Sequence, residues 1–214
     1  MLCKNHLTFR LLADIASILR QNNNLNNYIK KIIDIKLILV SLFFLALPIV
    51  FLVIAVRLTS PGPVLYWSDR IGRHNRLFKM PKFRSMRIDT PAVATHLLSN
   101  PEQWLTPIGS FLRRSSLDEL PQLWSIFKGD MSFVGPRPAL FNQDDLMALR
   151  TEKGVHTLVP GLTGWAQING RDELSITQKV EFDYEYLKNQ STLFDIKILW
   201  LTALRVIKRD SVSH

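Results

Sequence analysis

Apolar residues run without a charge from residue 37 to residue 56, and Ser41 is the only strongly polar side chain among these 20 residues. A helix of about 20 residues is long enough to cross a hydrocarbon core about 30 Å thick. Helices in soluble cores are usually shorter and keep a polar face. A cleavable signal sequence would lie closer to the N-terminus and end at small residues. The pattern therefore predicts a membrane helix.

Pro48 divides the apolar run into two halves, each long enough for about half a bilayer. Proline removes a backbone hydrogen bond and kinks a helix. Both flanks are basic, with Lys30, Lys31 and Lys36 before the run and Arg57 after it, so the positive-inside rule selects neither orientation. We favour a re-entrant helix that enters the membrane, kinks at Pro48 and returns. A proline-kinked helix that spans the membrane is the alternative.

The segments on either side of this run complete the division of the chain. Leucine and isoleucine recur at helical spacing within residues 7–19, and the Asn-rich residues 21–27 are typical of a linker. We interpret residues 1–27 as an interfacial N-terminal extension, 28–57 as the membrane helix and 58–210 as a separate domain. Within that domain, residues 194–207 predict an apolar helix that belongs to the core or lies in the membrane interface, and we favour the interface.

Composition and charge narrow the function classes. The 214 residues carry a net charge of +9, and six of these charges lie between Arg57 and Thr90, where eight cationic residues face two anionic ones. Such a block attracts phosphate in a nucleic acid, an anionic lipid or a small molecule. The single cysteine, Cys3, excludes an intramolecular disulfide and a cysteine zinc cluster. The sequence lacks a P-loop and a dinucleotide-binding glycine motif, and its five histidines are scattered.

A carboxylate pair lies in residues 115–121 (SSLDELP), directly after two arginines. Ser116 and Glu119 have the spacing of a capping box, but Pro121 would then be the fifth helical residue, where its ring clashes. If Asp118 is the N-cap instead, Pro121 falls in the first turn, where it is tolerated. The positive helix end and the arginines would then lower the pKa of Asp118 and favour a bound anion or metal ion. Structural capping and chemistry both remain open at this point.

Two further segments carry groups suited to a phosphorylated ligand. Arg137 lies between two prolines, which restrict its backbone and present a guanidinium suited to phosphate oxygens; a solvated arginine in a rigid loop is the alternative. Residues 160–171 contain three glycines, which permit close backbone approach to a ligand. In the same segment, Gln167 and Asn169 can recognise donors and acceptors of a base or sugar. Trp165 is assigned to the core in preference to ring stacking.

Three blocks in this order resemble a known family. They are residues 82–86 (KFRSM), residues 116–138 from SLDELPQL to GPRP, and residues 160–167 (PGLTGWAQ), with SPGP at 60–63 after the apolar run. At these residues the chain resembles the bacterial sugar transferases known as monotopic phosphoglycosyl transferases, over about residues 28–210. Long blocks in the same order are a far more specific signal than a single glycine motif.

The resemblance implies a reaction and a set of site residues. The reaction is transfer of a sugar 1-phosphate from a UDP-sugar to polyprenyl phosphate, with release of UMP. Asp118 is implied as the nucleophile that carries the sugar phosphate, and Asp118 and Glu119 together are implied as the ligands of Mg²⁺. A divalent cation and arginines suit such a reaction, because a carboxylate must approach a diphosphate. The candidate substrate-binding residues are Lys82, Arg84, Arg113, Arg137, Gln167, Asn169 and Arg171.

The resemblance also implies a fold and a location. The expected fold class is α+β and mainly helical, a monotopic domain with one re-entrant N-terminal helix, interfacial helices and a small β-hairpin. Its catalytic domain is expected at the cytoplasmic face of the bacterial inner membrane, in the short form that lacks additional spanning helices. One departure is that many members have serine before the helix-breaking proline, whereas Leu47 precedes Pro48 here. The serine's hydrogen bond to the backbone is therefore missing.

The expected partners are a UDP-sugar, polyprenyl phosphate and membrane lipid, without nucleic acid. No residue identifies the donor sugar on physical grounds, and an N-acetylated 6-deoxy amino sugar is our preference. The oligomeric state stays open between a monomer and a homodimer. The alternatives for function are a scaffold homologue, a basic module that binds phosphate or nucleic acid, and transfer without a covalent intermediate.

Overall fold

A computed structural model describes residues 3–91, 100–170 and 173–208. It is mainly helical, with two small sheets, and agrees with the predicted α+β class. The α-helices are α1 (Cys3–Thr59), α2 (Gly109–Arg114), α3 (Leu123–Lys128), α4 (Asp144–Glu152), α5 (Trp165–Ile168), α6 (Ile176–Asn189) and α7 (Thr192–Lys208). The strands are β1 (Leu65–Ile71), β2 (Leu77–Phe83), β3 (Ser132–Val134), β4 (Ala139–Leu140) and β5 (Gly161–Thr163). Short 3-10 helices cover Arg73–Asn75, Pro101–Trp104, Leu117–Gln122 and Val155–Thr157.

The predicted β-hairpin is present and forms part of a three-stranded sheet. Strands β1 and β2 pair antiparallel, and β4 adds to the other edge of β1, where Arg70 lies opposite Leu140. Strands β3 and β5 form a separate parallel pair. Since β4 begins directly after the loop that contains Arg137, the pairing of β4 with β1 holds one end of this loop against the hairpin.

Helix α1 is continuous through the Asn-rich residues, so the predicted linker at 21–27 is wrong. Asparagine is a weak helix former, at about 0.7 kcal/mol or less per residue relative to alanine. Helical residues lie on both sides of the stretch, and extending an existing helix needs no new nucleation. The boundary drawn between residues 27 and 28 therefore falls inside one helix. Pro48 also lies within α1.

The apolar part of α1 contacts the rest of the protein near both of its ends. Ile38 packs with Met80 and residues of α3, whereas Leu52 and Val56 pack with Phe83 and residues of α2. Between these contacts the apolar side chains are largely exposed, among them Leu39, Phe43, Phe44 and Leu47. The segment Tyr28–Thr59 is long and apolar enough to cross a membrane, and only 11% of its most apolar window is buried within the protein. A soluble core helix would be mostly buried.

Helix α7 confirms the helix predicted at 194–207 and divides its apolar residues between two environments. Ile198 is fully buried in the main core with Tyr186, Val134 and Val155, and Phe194 packs against this cluster. Leu193, Ile196, Trp200 and Val206 are exposed. One face of α7 therefore belongs to the core, and the other supplies the apolar surface that the interfacial interpretation requires.

Candidate active site

Asp118 and Glu119 lie in the 3-10 helix Leu117–Gln122, which leads directly into α3. The N-cap is Ser116, in the left-handed region at φ 57°, and its side chain makes no capping hydrogen bond. The helix therefore begins where the capping-box alternative placed it, although the capping hydrogen bond of Ser116 does not form. The alternative start is wrong, because Asp118 lies in the first turn and not at the cap. A 3-10 helix needs only short hydrogen-bonded runs, which allows Pro121 to lie inside it.

The Asp118 side chain is buried, with 8% of the residue exposed. The neighbouring Leu117 and Leu120 pack with Leu112 and with Val56 at the end of α1. Burial raises the pKa of Asp118, and this effect outweighs the attraction of Lys82 and the other cations. The lowered pKa expected from the sequence is thus wrong, because desolvation depends on packing that the local motif does not reveal.

Glu119 is held by two cations on one oxygen. Its Oε1 accepts hydrogen bonds from Lys82 Nζ at 3.0 Å and from an Arg137 NH2 group at 2.6 Å. Burial alone would raise the pKa of Glu119, but the attraction of Arg137 and Lys82 prevails and holds it well below its usual range. Burial lowers the pKa of Lys82, and the neighbouring Glu119 counters this effect. Two adjacent carboxyl groups therefore have opposite pKa shifts.

Arg70 joins this group, although the motifs did not single it out. It lies on β1, donates through Nε to Ser68 Oγ at 3.0 Å, and donates through Nη1 to the Pro138 carbonyl at 3.3 Å. Burial, followed by repulsion from Arg137, lowers the pKa of Arg70 to about 10. Strand alternation could have indicated it, because Tyr66 lies opposite Lys82 in the hairpin and residues two apart share a face.

Arg113 also lies in the electrostatic surroundings of Asp118, where its charge favours the ionised carboxylate. We define the carboxylate pocket as Asp118 and Glu119 with their cationic neighbours Lys82, Arg70, Arg113 and Arg137.

Arg84 is committed elsewhere in the structure. Its guanidinium donates to the carbonyls of Ser60 and Pro61 and to Ser60 Oγ, directly after the end of α1. Arg84 therefore stabilises the turn between α1 and β1, and its described hydrogen bonds do not include Asp118 or Glu119.

In the last predicted segment, the described contacts of Gln167 and Asn169 do not join either side chain to the carboxylate pocket. Gln167 lies on α5, and both polar atoms of its amide are buried without a hydrogen-bond partner. The Asn169 amide donates to the Trp165 carbonyl within the same turn at 2.8 Å. Trp165 packs against Phe194 at a ring distance of 5.0 Å, which agrees with the core assignment. Arg171 lies outside the described residues.

The arrangement suits a ligand that carries several negative charges. Four cationic side chains surround two carboxylates, so the pocket has an excess of positive charge in a partly desolvated setting. Among the residues that the structure describes, no cluster of three His, Cys, Asp or Glu forms a preassembled metal site. Mg²⁺ commonly binds through one or two carboxylates together with substrate phosphates. The Asp118 and Glu119 donor set fits this mode.

Comparison with known proteins agrees with this geometry. Residues 25–209 match the family of bacterial sugar transferases. The chain belongs to this family. The chain is similar to the UDP-glucose:undecaprenyl-phosphate glucose-1-phosphate transferase of Escherichia coli (strain K12), which is 39% identical over 191 residues, or 86% of this chain and 41% of the relative. The undecaprenyl-phosphate galactose phosphotransferase of Salmonella typhimurium is 35% identical over 213 residues, or 90% of this chain and 44% of the relative.

A relative of similar length matches almost throughout. The uncharacterized sugar transferase EpsL of Bacillus subtilis (strain 168) is 39% identical over 188 residues, which cover 87% of this chain and 91% of EpsL. By contrast, this chain spans less than half the length of the E. coli and Salmonella proteins.

Proposed function

We propose that this bacterial sugar transferase is a phosphoglycosyl transferase that moves a sugar 1-phosphate from a UDP-sugar to polyprenyl phosphate and releases UMP. The observation that carries the proposal is a buried carboxylate, Asp118, beside a second carboxylate that is already neutralised by Lys82 and Arg137. The pocket therefore offers one desolvated nucleophile and a surplus of cations for a diphosphate. The named relatives from E. coli and Salmonella support the same substrate classes.

In the first half-reaction, an oxygen of Asp118 attacks the β-phosphorus of the UDP-sugar. The bond between this phosphorus and the bridging oxygen breaks, and UMP leaves with that oxygen. Desolvation makes the ionised carboxylate a stronger nucleophile, and the charges of Lys82 and Arg113 favour this ionised form. Arg137 is placed to bind phosphate oxygens as charge develops on them.

In the second half-reaction, a phosphate oxygen of polyprenyl phosphate attacks the same phosphorus, and the Asp118 carboxylate leaves. The product is a polyprenyl diphosphate sugar, and Asp118 is regenerated. A covalent intermediate lets a soluble donor and a membrane-bound acceptor use one pocket in turn. We include Mg²⁺ in the proposal, held by Asp118 and Glu119 together with substrate phosphate, where it would neutralise phosphate charge.

Trapping the intermediate tests the proposal. The full chain in detergent is incubated with a UDP-sugar labelled in the sugar and the β-phosphate, without acceptor. We expect up to one equivalent of UMP and a mass increase of one sugar phosphate on the peptide that contains Asp118. Asp118→Asn should form no adduct, whereas Asp130→Asn, which alters a partly exposed carboxylate paired with Lys128, should behave like the wild type. Turnover that requires a ternary complex and persists in Asp118→Asn would replace the covalent route with direct transfer.

The same assay identifies the donor. UDP-glucose and UDP-galactose belong in the panel because relatives are named for glucose and galactose transfer. UDP-N-acetyl amino sugars, including 6-deoxy forms, test our preference from the sequence. Failure of every UDP-sugar to release UMP in the presence of polyprenyl phosphate would contradict the activity and favour the scaffold alternative.

We also propose that α1 is re-entrant and that the domain lies at the cytoplasmic face of the membrane. The support is the pair of contacts that α1 makes with the same domain, at Ile38 and at Val56. A straight helix that spans a bilayer separates such positions by about 27 Å along its axis, most of the hydrocarbon thickness. A domain confined to one side of the membrane can contact both positions more readily if α1 bends at Pro48. The exposed residues around Pro48 would then be inserted deepest into the membrane.

Cysteine labelling tests the topology. In a Cys3→Ser background, we introduce Asn26→Cys before the apolar run or Arg76→Cys after it; both residues are exposed. A probe confined to the cytoplasmic side should label both positions in sealed vesicles. Labelling of the two positions from opposite sides would establish a spanning helix instead.

A further inference from the structure

The backbone of the loop around Arg137 is held by two arginines from different elements. Arg150 on α4 donates through Nη1 to the Arg137 carbonyl at 2.9 Å. Arg70 on β1 donates to the next carbonyl, that of Pro138, at 3.3 Å. Consecutive peptide groups of the loop are thus fixed from two sides, while the Arg137 guanidinium reaches Glu119.

Arg150 is itself fixed by a buried carboxylate. Its Nε and an NH2 group both donate to Asp183 Oδ2 on α6, at 3.0 and 2.6 Å. The Asp183 side chain is only 1% exposed and that of Arg150 is 12% exposed. Burying such a pair is expensive and often contributes little net stability. The pair therefore invites an explanation beyond joining two helices.

We propose that the Arg150–Asp183 ion pair is a positioning device for Arg137 in the transfer reaction. The proposal rests on the function proposed above. The flanking prolines restrict the loop, but the orientation of the Arg137 carbonyl is set by the hydrogen bond from Arg150. The fork of a guanidinium can bind a carboxylate on one edge and a carbonyl on another, which a lysine ammonium cannot reproduce with the same geometry. Rigid placement of Arg137 reduces the reorganisation needed when phosphate charge develops.

A neighbouring ion pair separates positioning from simple joining of the helices. Lys153, directly after the last residue of α4, pairs with Glu181 on α6, but this pair is more exposed and has no contact with the loop of Arg137 among the described interactions. Lys153→Gln is therefore the matched control. If the role of Arg150 were only to join α4 to α6, both substitutions would act through stability alone.

A double-mutant cycle on UMP release, with labelled UDP-sugar and polyprenyl phosphate, tests the proposal. In the wild-type background, Arg150→Gln should lower kcat/KM by about 10-fold or more, mainly through kcat, and Lys153→Gln by less than about 2-fold. In the Arg137→Ala background, the same Arg150→Gln change should cost less than about 2-fold, because its target is already absent. Arg150→Lys keeps a charge beside Asp183 and should recover thermal stability more fully than activity.

The outcomes separate this inference from the proposed function. Equal fold losses from Arg150→Gln in both backgrounds, or full recovery of activity with Arg150→Lys, would overturn the positioning role. If Arg150→Gln fails to fold, the comparison of Arg150→Lys in the two backgrounds serves the same purpose. Failure of the wild-type protein to release UMP would contradict the proposed function itself, irrespective of the cycle.

Discussion

Two ionic clusters in this protein are buried to a similar degree, but they are balanced differently. In the α1–α7 cluster, Lys30 pairs with Asp195, which also accepts the hydroxyl hydrogen bond of the buried Tyr186 at 2.7 Å. Asp34 on α1 is also buried beside this pair and accepts a hydrogen bond from the Phe133 N–H at 3.1 Å, so this cluster has no surplus of cations. In the carboxylate pocket, four cations surround two carboxylates. The first arrangement is suited to holding α1 against the domain, and the second to receiving an anion.

Burial of ionic groups has different energetic consequences in the two clusters. A buried and satisfied pair fixes a contact at a modest net gain in stability, because desolvation offsets much of the attraction. A group of cations around two buried carboxylates attracts a ligand of negative charge. The pocket thus resembles the preorganised electrostatics of enzymes that handle charged transition states.

Removal of divalent cations should give the largest effect and should separate the two clusters most clearly. We expect EDTA to abolish UMP release and added Mg²⁺ to restore it, with Mn²⁺ as a substitute, because two carboxylates and two phosphates must converge. The midpoint of thermal unfolding should change by less than about 2 °C, because the α1–α7 cluster needs no metal. Full activity in EDTA would contradict the Mg²⁺ assignment.

Glu119→Gln should reduce activity next most strongly. The amide cannot neutralise both Lys82 and Arg137, so both cations lose the partner that orients them. We expect kcat/KM to fall by about 100-fold or more. The control is Glu181→Gln, which alters an exposed glutamate on α6. Near-normal turnover in Glu119→Gln would leave Glu119 with a structural role only.

Asp195→Asn should show the reverse pattern, a loss of stability with little change in chemistry. Lys30 would lose its charged partner in a site where its side chain is 14% exposed. We expect the midpoint of thermal unfolding to fall by about 5–10 °C, while UMP release per folded molecule stays within about 2-fold. Adding Lys30→Met to Asp195→Asn should recover the lost stability only in part, because the buried carboxylate of Asp34 then lacks the attraction of Lys30. A loss of activity at unchanged stability would place Asp195 in the reaction.

Local patterns predicted the elements with strong periodicity. The apolar run in α1 and the helix at 194–207 follow from such signals, whereas the hairpin was expected from the resemblance to the family. The Asn-rich residues 21–27 misled because weak propensity yields to a helix that continues on both sides.

The candidate site was predicted less completely, because its properties depend on distant residues. Arg84 stands in a basic motif, but the carbonyls after α1 bind its guanidinium. Arg70 and Arg150 reach the Arg137 loop through β1 and α4, contacts that span many residues of sequence. The pKa of Asp118 likewise depends on burial and not on its local motif.

The burial of Asp118 leads to the smallest predicted effect, which is on the stability of the fold and not on the reaction rate. The pKa of Asp118 is raised in the folded protein, so the fold favours the protonated carboxyl group over the carboxylate. At pH 7 the ionised group therefore destabilises the fold, and Asp118→Asn should raise the midpoint of thermal unfolding by about 2–4 °C. The gain in stability should shrink as the pH falls toward the usual aspartate pKa of about 4, where the wild-type Asp118 takes up its proton in both the folded and the unfolded state.

Glu119→Gln should instead lower the stability at pH 7, because a lowered pKa means that ionised Glu119 stabilises the fold. Thermal unfolding in EDTA without substrate, across this pH range, measures both variants. A destabilised Asp118→Asn at pH 7 would show that the protein's own cations already compensate the buried charge, and the contrast between the pocket and the α1–α7 cluster would then disappear.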